Sequence, residues 1–378
     1  MTDERLCVGV VFGGISAEHE VSWISARNVI RVMDRQMYRP VPILIDQDGR
    51  WFLVEAGTLD TFSFRTSRAV RPEPAEHRIV LDPEGGRIRL LDRATAREAG
   101  VLDLVFPLVH GTCGEDGTLQ GLCKMYQVPF VGPGVAASAT CMDKDIMKRT
   151  LRDRGLPVAR FLSLNEQDAA TGDPERVVAQ LGLPVFVKPA SLGSSVGITK
   201  AKSLQKLERA MEYAFRFDSK IVIEESVQGR EIECSVLGNR SPQASIPGEV
   251  IPRHEFYSYQ AKYEDPEGAD LIIPAALEPP VQERVRELAL QSFAAMECEG
   301  MARVDFFVRP DGDILVNELN TIPGFTDISM YPKLWEASGL PCAELVHRLI
   351  QLGLERHRRE VRKSHERDGK KTGTEPLP

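Results

Sequence analysis

Uninterrupted apolar runs closed by glycine alternate with stretches of helical period over the first third of the chain. Residues 6–12 (LCVGVVF) form one such run, stopped by Gly13-Gly14, and Val21, Ile24, Val29 and Val32 then recur on one helical face. A strand with no polar side is buried on both faces, and strand, glycine turn and amphipathic helix in that order is the repeating unit of an open parallel sheet. The runs VPILID (41–46) and VLDLVFPLVH (101–110) repeat the strand signal. The pattern predicts an α/β, doubly wound, Rossmann-like N-terminal domain over 1–140. Between those strands HRIVLDPEGGRIRLLD (77–92) alternates about Gly-Gly and predicts an added hairpin, whereas 57–76 is polar and proline-containing and predicts a loop insertion.

A new block follows Val131-Gly132-Pro133-Gly134. It holds a helical pattern over 143–155, a strand at VARFLSL (158–164) and the run GLPVFVKPASLGSSVGITK (182–200), and it predicts a central domain over 141–228. The stretch IVIEESVQGREIECSVLG (221–238) reads as strand, turn, strand, and Val281, Val285 and Leu288 mark a later helix. In MARVDFFVRPDGDILVNELN (301–320) two apolar segments, 304–308 and 314–316, flank Arg309-Pro310-Asp311-Gly312, and Asp-Gly between strand-like runs predicts a hairpin. These elements predict a C-terminal domain over 229–355. From 356 the charge-rich, apolar-poor sequence predicts a solvated tail.

Composition narrows the class. With 378 residues and 42% hydrophobic content the chain exceeds what one core holds, in agreement with several domains. A formal charge of -8 with both signs interspersed argues against nucleic acid or an anionic membrane as a partner. No apolar run approaches membrane-spanning length, the N-terminus is acidic where a signal peptide would be basic, and the seven cysteines match neither a zinc pattern nor a disulfide framework. A soluble protein of the cytoplasm is expected. No internal repeat is visible.

Four places carry candidate chemistry. On the 301–320 hairpin Asp305 falls near the start of one strand, and Glu318 and Asn320 near the end of its partner, so antiparallel pairing gathers three oxygen ligands. Such a set suits magnesium shared with substrate phosphates, although charges on the solvent face of a hairpin are also ordinary. Lys188 ends an apolar strand and precedes Gly193, Ser194, Ser195 and Gly197, small residues whose backbone N–H groups can approach a phosphate. The P-loop order is absent, and a simple turn has the same composition. Likewise Gly13-Gly14 lacks the G-x-G-x-x-G spacing of a nicotinamide site. Glu18 stands at a helix entrance, where it complements the macrodipole or binds an ammonium group. HGTCGEDGTLQG (110–121) follows the last N-terminal strand, at the carboxyl-end crevice where open sheets bind ligands; there Asp116 as a helix cap and His110 as a turn histidine are the plainer alternatives. Finally HEFYSYQAKYED (254–265), with three tyrosines and Lys262, has the character of a lid, although a packing flap or a partner surface has the same composition.

Taken in order, FGGISAEHEVS, HGTCGEDGTLQG, MDKDIMK, VFVKPASLGSSVGI, EESVQGREIE, YSYQAKY, RVDFF and NELNTIPGFT make the sequence resemble the D-alanine–D-alanine ligases of the ATP-grasp superfamily, over about residues 5–350. The resemblance implies a three-domain ATP-grasp architecture with ATP clasped between the central and C-terminal domains. It implies that Lys144 and Lys188 bind ATP phosphates, that Glu224 and Val227 lie on the adenine side, that Glu231 binds the ribose, and that Ser194, Ser195, Glu225 and Lys262 belong to the nucleotide site. Asp305, Glu318 and Asn320 correspond to the ligands of two magnesium ions, for which manganese could substitute. Glu18 corresponds to the residue that receives the ammonium of the first D-alanine in a hydrogen-bonded set with Ser194 and Tyr263. His110, Ser329 and Met330 fall in the amino-acid site, and Ser329 corresponds to the group that binds the second carboxylate. Arg303 and the backbone N–H of Gly324 correspond to the oxyanion stabilisers.

The implied reaction joins two D-alanines through a D-alanyl phosphate at the expense of ATP, for peptidoglycan precursors, in a cytoplasmic homodimer. Three rivals stand beside it. A D-alanine–D-lactate ligase is disfavoured by Tyr263, which the depsipeptide-forming relatives replace. A non-catalytic nucleotide binder is disfavoured by intact Arg303, Glu18 and metal ligands, and an oxidoreductase by the missing glycine fingerprint. Cys113 and the 190–192 segment depart from the family pattern.

Overall fold

The computed structural model describes residues 4–60, 77–168, 173–194, 196–253 and 268–367. Residues 6–13 do form a strand, β1 (Leu6–Gly13), buried from Cys7 onward and followed by α1 (His19–Val32). With β2 (Tyr38–Ile45) and β3 (Trp51–Leu53) it belongs to a four-stranded sheet of order β3-β2-β1-β7, in which β2 and β7 run parallel to β1. After the short helix α2 (Ala56–Asp60), the expected hairpin β4 (Ile79–Glu84) and β5 (Arg87–Asp92) is extended to three strands by β6 (Glu98–Leu102). Most of the predicted insertion, 61–76, lies outside the described residues.

The run 101–110, read above as one strand, is divided. Residues 101–102 close β6, and β7 (Leu104–Pro107) starts two residues later in the other sheet. Asp103 between them turns the chain: its carboxylate accepts from the Cys7 N–H at 2.8 Å and faces Arg87. Periodicity cannot report that break, because both halves are apolar.

Beyond α3 (Thr118–Met125), α4 (Val135–Met142) and α5 (Lys144–Asp153) connect to the central sheet. It is formed by β8 (Phe161–Asn165), β9 (Val185–Pro189), β10 (Thr199–Ala201) and β11 (Lys220–Glu225) in the order β10-β9-β11-β8, all neighbours antiparallel, and is covered by α6 (Pro174–Leu181) and α7 (Leu204–Ala214). Helices α4 and α5 contribute Cys141, Met147 and Leu151 to the C-terminal core. The start of the segment assigned above to the central domain therefore packs with its neighbour.

The C-terminal sheet contains β12 (Arg230–Gly238), β13 (Gln243–Ala244), β14 (Gly248–Pro252), β15 (Ala269–Ile272), β16 (Gly300–Val308) and β17 (Ile314–Asn320), with α8 (Pro279–Ala295) packed beneath it. The two strands of 221–238 do not pair with each other: β11 lies in the central sheet and β12 in the C-terminal one, so the turn between them is the crossing from one domain to the next. Two helices complete the chain, α9 (Met330–Ala337) and α10 (Cys342–Arg367).

Helix α10 overturns the expectation of a solvated tail from 356. Arg356 is only 4% exposed, its guanidinium lies 4.0 Å from the centre of the Phe130 ring, and it donates to the carbonyls of Phe130 and Gly132. Arg359 forms an ion pair with Glu299. Charge density hid the helix because its inward partners are backbone carbonyls and an aromatic face, which the apolar pattern does not encode. Residues 368–378 lie outside the described residues.

Candidate active site

The loop after β1 and the entrance of α1 make the first wall. The Ser16 hydroxyl donates to the His110 carbonyl at 2.6 Å and accepts from the Glu18 N–H at 3.1 Å, which fixes the backbone that presents Glu18. The Glu18 carboxylate accepts a short hydrogen bond from Ser194, across from the central domain. Gly111 adopts φ +72°, and a Cβ there would stand 3.0 Å from Glu18 Oε2, so both conformation and space call for glycine. His110 is buried: Nδ1 faces the Ile322 carbonyl at 3.1 Å and Glu115 at 3.6 Å, and Nε2 faces Ser25 at 2.9 Å. Burial alone would lower the His110 pKa, but the bond and charge of Glu115 outweigh it and hold the pKa above its ordinary value. Burial also raises the Glu115 carboxyl. Ser25 receives the Phe325 N–H at 3.1 Å, and Asn28 donates to the Phe325 carbonyl at 2.9 Å, so helix α1 carries the C-terminal loop directly.

That loop brings Gly324, Ser329 and Met330 to the same cavity as Glu18, His110 and Arg303. Ser329 accepts from the Thr326 N–H at 2.9 Å and exchanges a hydrogen bond with its hydroxyl at 2.8 Å. Met330 is buried against Val250 and Leu334, so it shapes the floor.

The β16–β17 hairpin makes the second wall. Its strand begins at Gly300, four residues before the apolar segment read above, so Asp305 sits mid-strand. Asp305 pairs with Glu318 and Arg303 with Asn320, with a bulge after Asp305; cross-strand pairs and residues two apart share a face, so all four face together. Arg303 donates to both Asp305 oxygens at 2.7 Å, Asn320 donates to Asp305 at 3.0 Å, and Glu233 lies 2.9 Å from the guanidinium. Burial would lower the Arg303 pKa, but Asp305 and Glu233 hold it well raised. Among the described residues no group of three His, Cys, Asp or Glu side chains closes into a cation site. The oxygen-only set of Asp305, Glu318 and Asn320 still fits a hard divalent cation in the chemistry of its donors.

A second cavity lies beyond and shares Lys144, Gly193, Ser194, Glu233, Arg303 and Glu318 with the first. Lys188, on β9, meets Glu224, on β11, at 2.9 Å, and Lys148 of α5 approaches the other oxygen of Glu224 at 3.4 Å. Burial opposes the Glu224 charge, but the two lysines outweigh it and pull its pKa down to about 2. Lys144 donates from Nζ to the Leu192 carbonyl at 2.6 Å and from its backbone to Ala190 at 2.9 Å, so it anchors the small-residue loop. Ser194 holds φ +52° in that loop. Val227 and Glu231 line the far end of the cavity.

Three acidic side chains are engaged within the protein. The Glu224 side chain is held by Lys148 and Lys188. Glu225 is engaged by Arg160 at 2.7 Å and Arg309 at 3.4 Å, which ties the central sheet to the C-terminal hairpin. Asp116 accepts from the Cys113 and Thr118 N–H groups at 2.8 and 3.0 Å; it braces the turn one residue before Gly117, which takes the N-cap position of α3 in place of the expected Asp116. Tyr263, Lys262 and Ser195 lie outside the described residues, as does the rest of the expected lid. The sequence reading missed Glu115, Glu233 and Lys148. Lys148 had a signal, since it is four positions from Lys144 and on the same helical face; the other two are brought in by tertiary packing.

A profile described as D-ala D-ala ligase N-terminus matches residues 7–133, and one described as D-ala D-ala ligase C-terminus matches 150–351. The chain belongs to the D-alanine–D-alanine ligase family. Within this family it is 48% identical to "D-alanine--D-alanine ligase A" of Chromobacterium violaceum, covering 94% of this chain and 96% of that relative. It is 46% identical to the protein of the same description from Escherichia coli K12, covering 94% and 97%. Among solved structures, the D-alanine-D-alanine ligase from Coxiella burnetii superposes with a TM-score of 0.84 at 38% identity, covering 97% of this chain and all of that one. The VanG D-Ala:D-Ser ligase of Enterococcus faecalis superposes at 0.81 with 32% identity, covering 92% and 99%. The three-domain ATP-grasp reading thus stands for the whole fold.

Proposed function

We infer that the protein is an ATP-dependent ligase that joins two molecules of D-alanine, releasing ADP and phosphate. The observation that carries this reading is the contact between the two cavities: Glu18 and Ser194 meet at their junction, and Arg303 lines both. An amino acid held by its ammonium at Glu18 thereby has its carboxylate directed toward the phosphates.

A carboxylate is a poor electrophile, and transfer of the ATP γ-phosphoryl group to it gives an acyl phosphate. Lys144 and Lys188 bind the phosphates and spread the charge of the transferring group. Asp305, Glu318 and Asn320 would hold magnesium ions, whose chemistry is to neutralise phosphate oxygens and align the nucleotide. Val227, Glu231 and the backbone at Glu224 receive the adenosine. Ser329 takes the carboxylate of the second D-alanine, whose amine attacks the acyl carbon. Arg303 and the Gly324 N–H stabilise the tetrahedral oxyanion, and phosphate leaves. Ser194 and Tyr263, by their correspondence to the family's motifs, are the candidates to pass on the amine proton. A cytoplasmic homodimer supplying cell-wall precursors completes the reading; among the described residues no helix is long and apolar enough to cross a membrane.

The test is phosphate release with ATP, magnesium and D-alanine, with mass analysis of the product and D-lactate and D-serine as competitors from pH 6 to 9. D-alanyl-D-alanine is the expected dominant product. A depsipeptide or an alanyl-serine product at neutral pH would assign the chain to another specificity within the family.

A further inference from the structure

Lys148 is the most deeply buried ammonium group of the nucleotide side, and the reaction described above gives it no task. It projects from α5, is 1% exposed and does not line either cavity. Its Nζ has two partners, the Asn317 carbonyl at 3.2 Å and Glu224 Oε1 at 3.4 Å. Asn317 precedes Glu318 on β17, whereas Glu224 lies on β11 of the central sheet, so one ammonium group joins both halves of the clasp. Lys188 holds the opposite oxygen of the same carboxylate at 2.9 Å and does face the nucleotide cavity.

Two ammonium groups around one carboxylate leave one net positive charge. A Lys188–Glu224 pair by itself would be neutral, and a neutral pair offers little to a phosphate. We propose that Lys148 is a positioning residue that acts through Glu224: by sharing that carboxylate from behind, it leaves Lys188 oriented toward the nucleotide phosphates with its charge only partly offset by Glu224. The inference rests on the phosphate-site reading of Lys188. A buried lysine serving packing alone would not require a carboxylate divided between two ammonium groups, one inside the cavity and one behind it.

The measurement is calorimetric binding of ADP and AMP, with magnesium, to the full-length protein. Lys148→Met is expected to weaken ADP about tenfold and AMP far less, since the lost charge acts on the outer phosphate. ATP KM should rise with kcat at saturating ATP within about threefold of the parent. Lys148→Met combined with Glu224→Gln restores the single positive charge and should bind ADP more tightly than Lys148→Met alone. Lys148→Arg, which keeps the charge, is expected to stay near the parent and serves where Lys148→Met folds poorly, compared then with Lys148→Gln. Parental ADP affinity in Lys148→Met, or weaker binding in the double variant than in either single one, overturns the proposal. Lys188→Met separates the two levels: unchanged ADP affinity there would overturn the phosphate-site reading itself, and loss of affinity there with none at Lys148 would overturn only the inference.

Discussion

Arg303 is the residue on which the site converges, with Asp305 held by its Nε and Nη2 and Glu233 sharing the Nε. Removing one oxyanion donor costs about 2.7–4 kcal/mol, so Arg303→Ala should lower kcat roughly 100- to 1,000-fold. ATP binding should change much less, and comparing kcat with the ADP dissociation constant checks this. Gly324 is a steric prediction: a Cβ there would stand 2.7 Å from Ser329 Oγ. Gly324→Ala should displace Ser329 and raise the KM for the second D-alanine more than that for ATP, as initial rates at varied D-alanine will show. Glu224 makes a pH prediction. Its folded pKa of about 2 lies below the ordinary carboxylate value of 4.5, so the unfolded chain takes up the proton first as pH falls. Its contribution to stability is therefore complete above pH 4.5 and disappears toward pH 2. Urea midpoints of the parent and Glu224→Gln should differ most at neutral pH and converge below pH 4.5.

Individual elements vary in how much of them the chain announced. The β1 strand and α1 helix follow directly from seven apolar positions and a four-residue periodic face, because the local pattern alone marks which sides must be buried, whatever partners cover them. The 301–320 hairpin was equally legible, since Asp-Gly fixes the turn and period two fixes the shared face, although the bulge after Asp305 left no mark in the sequence. Helix α10 was not legible beyond residue 355, because Arg356 is held by carbonyls of Phe130 and Gly132 far away in the chain. Replacing it would leave two buried acceptors unpaired, each costing about 1–3 kcal/mol. Arg356→Ala should therefore lower the melting temperature by several degrees, and truncation after Glu355 by at least as much, both measurable by differential scanning calorimetry.

Across the whole molecule, the cores do not follow the three segments drawn along the chain. One hydrophobic core spans the N-terminal sheet, α1 and the C-terminal helices, including Phe12, Trp23, Tyr331, Trp335 and Leu349, whereas the central sheet encloses a separate core of Val187, Leu207 and Ile223. Separate cores open separately, so hydrogen exchange should show amides of β8–β11 opening as a unit at lower free energy than β1 and β16. Bound ADP with magnesium should slow that opening, because the nucleotide cavity is lined from both the central and the C-terminal sheets. Uniform protection of both cores would contradict this picture.

Local order was determined by the sequence alone: the strands, the glycine turns, the hairpin that gathers Asp305, Glu318 and Asn320 on one face, the small-residue loop after Lys188 and the motif order shared with the ligase family. Each depends on residues within one turn or one hairpin of one another, where steric preference and burial act without help from the rest of the chain. Only the tertiary structure decided that Glu18 meets Ser194, that Glu224 is divided between Lys148 and Lys188, and that Arg356 is buried against Phe130. Those contacts join charged and polar groups tens to hundreds of positions apart, and their energy depends on distance and on exclusion of water, neither of which a linear pattern contains.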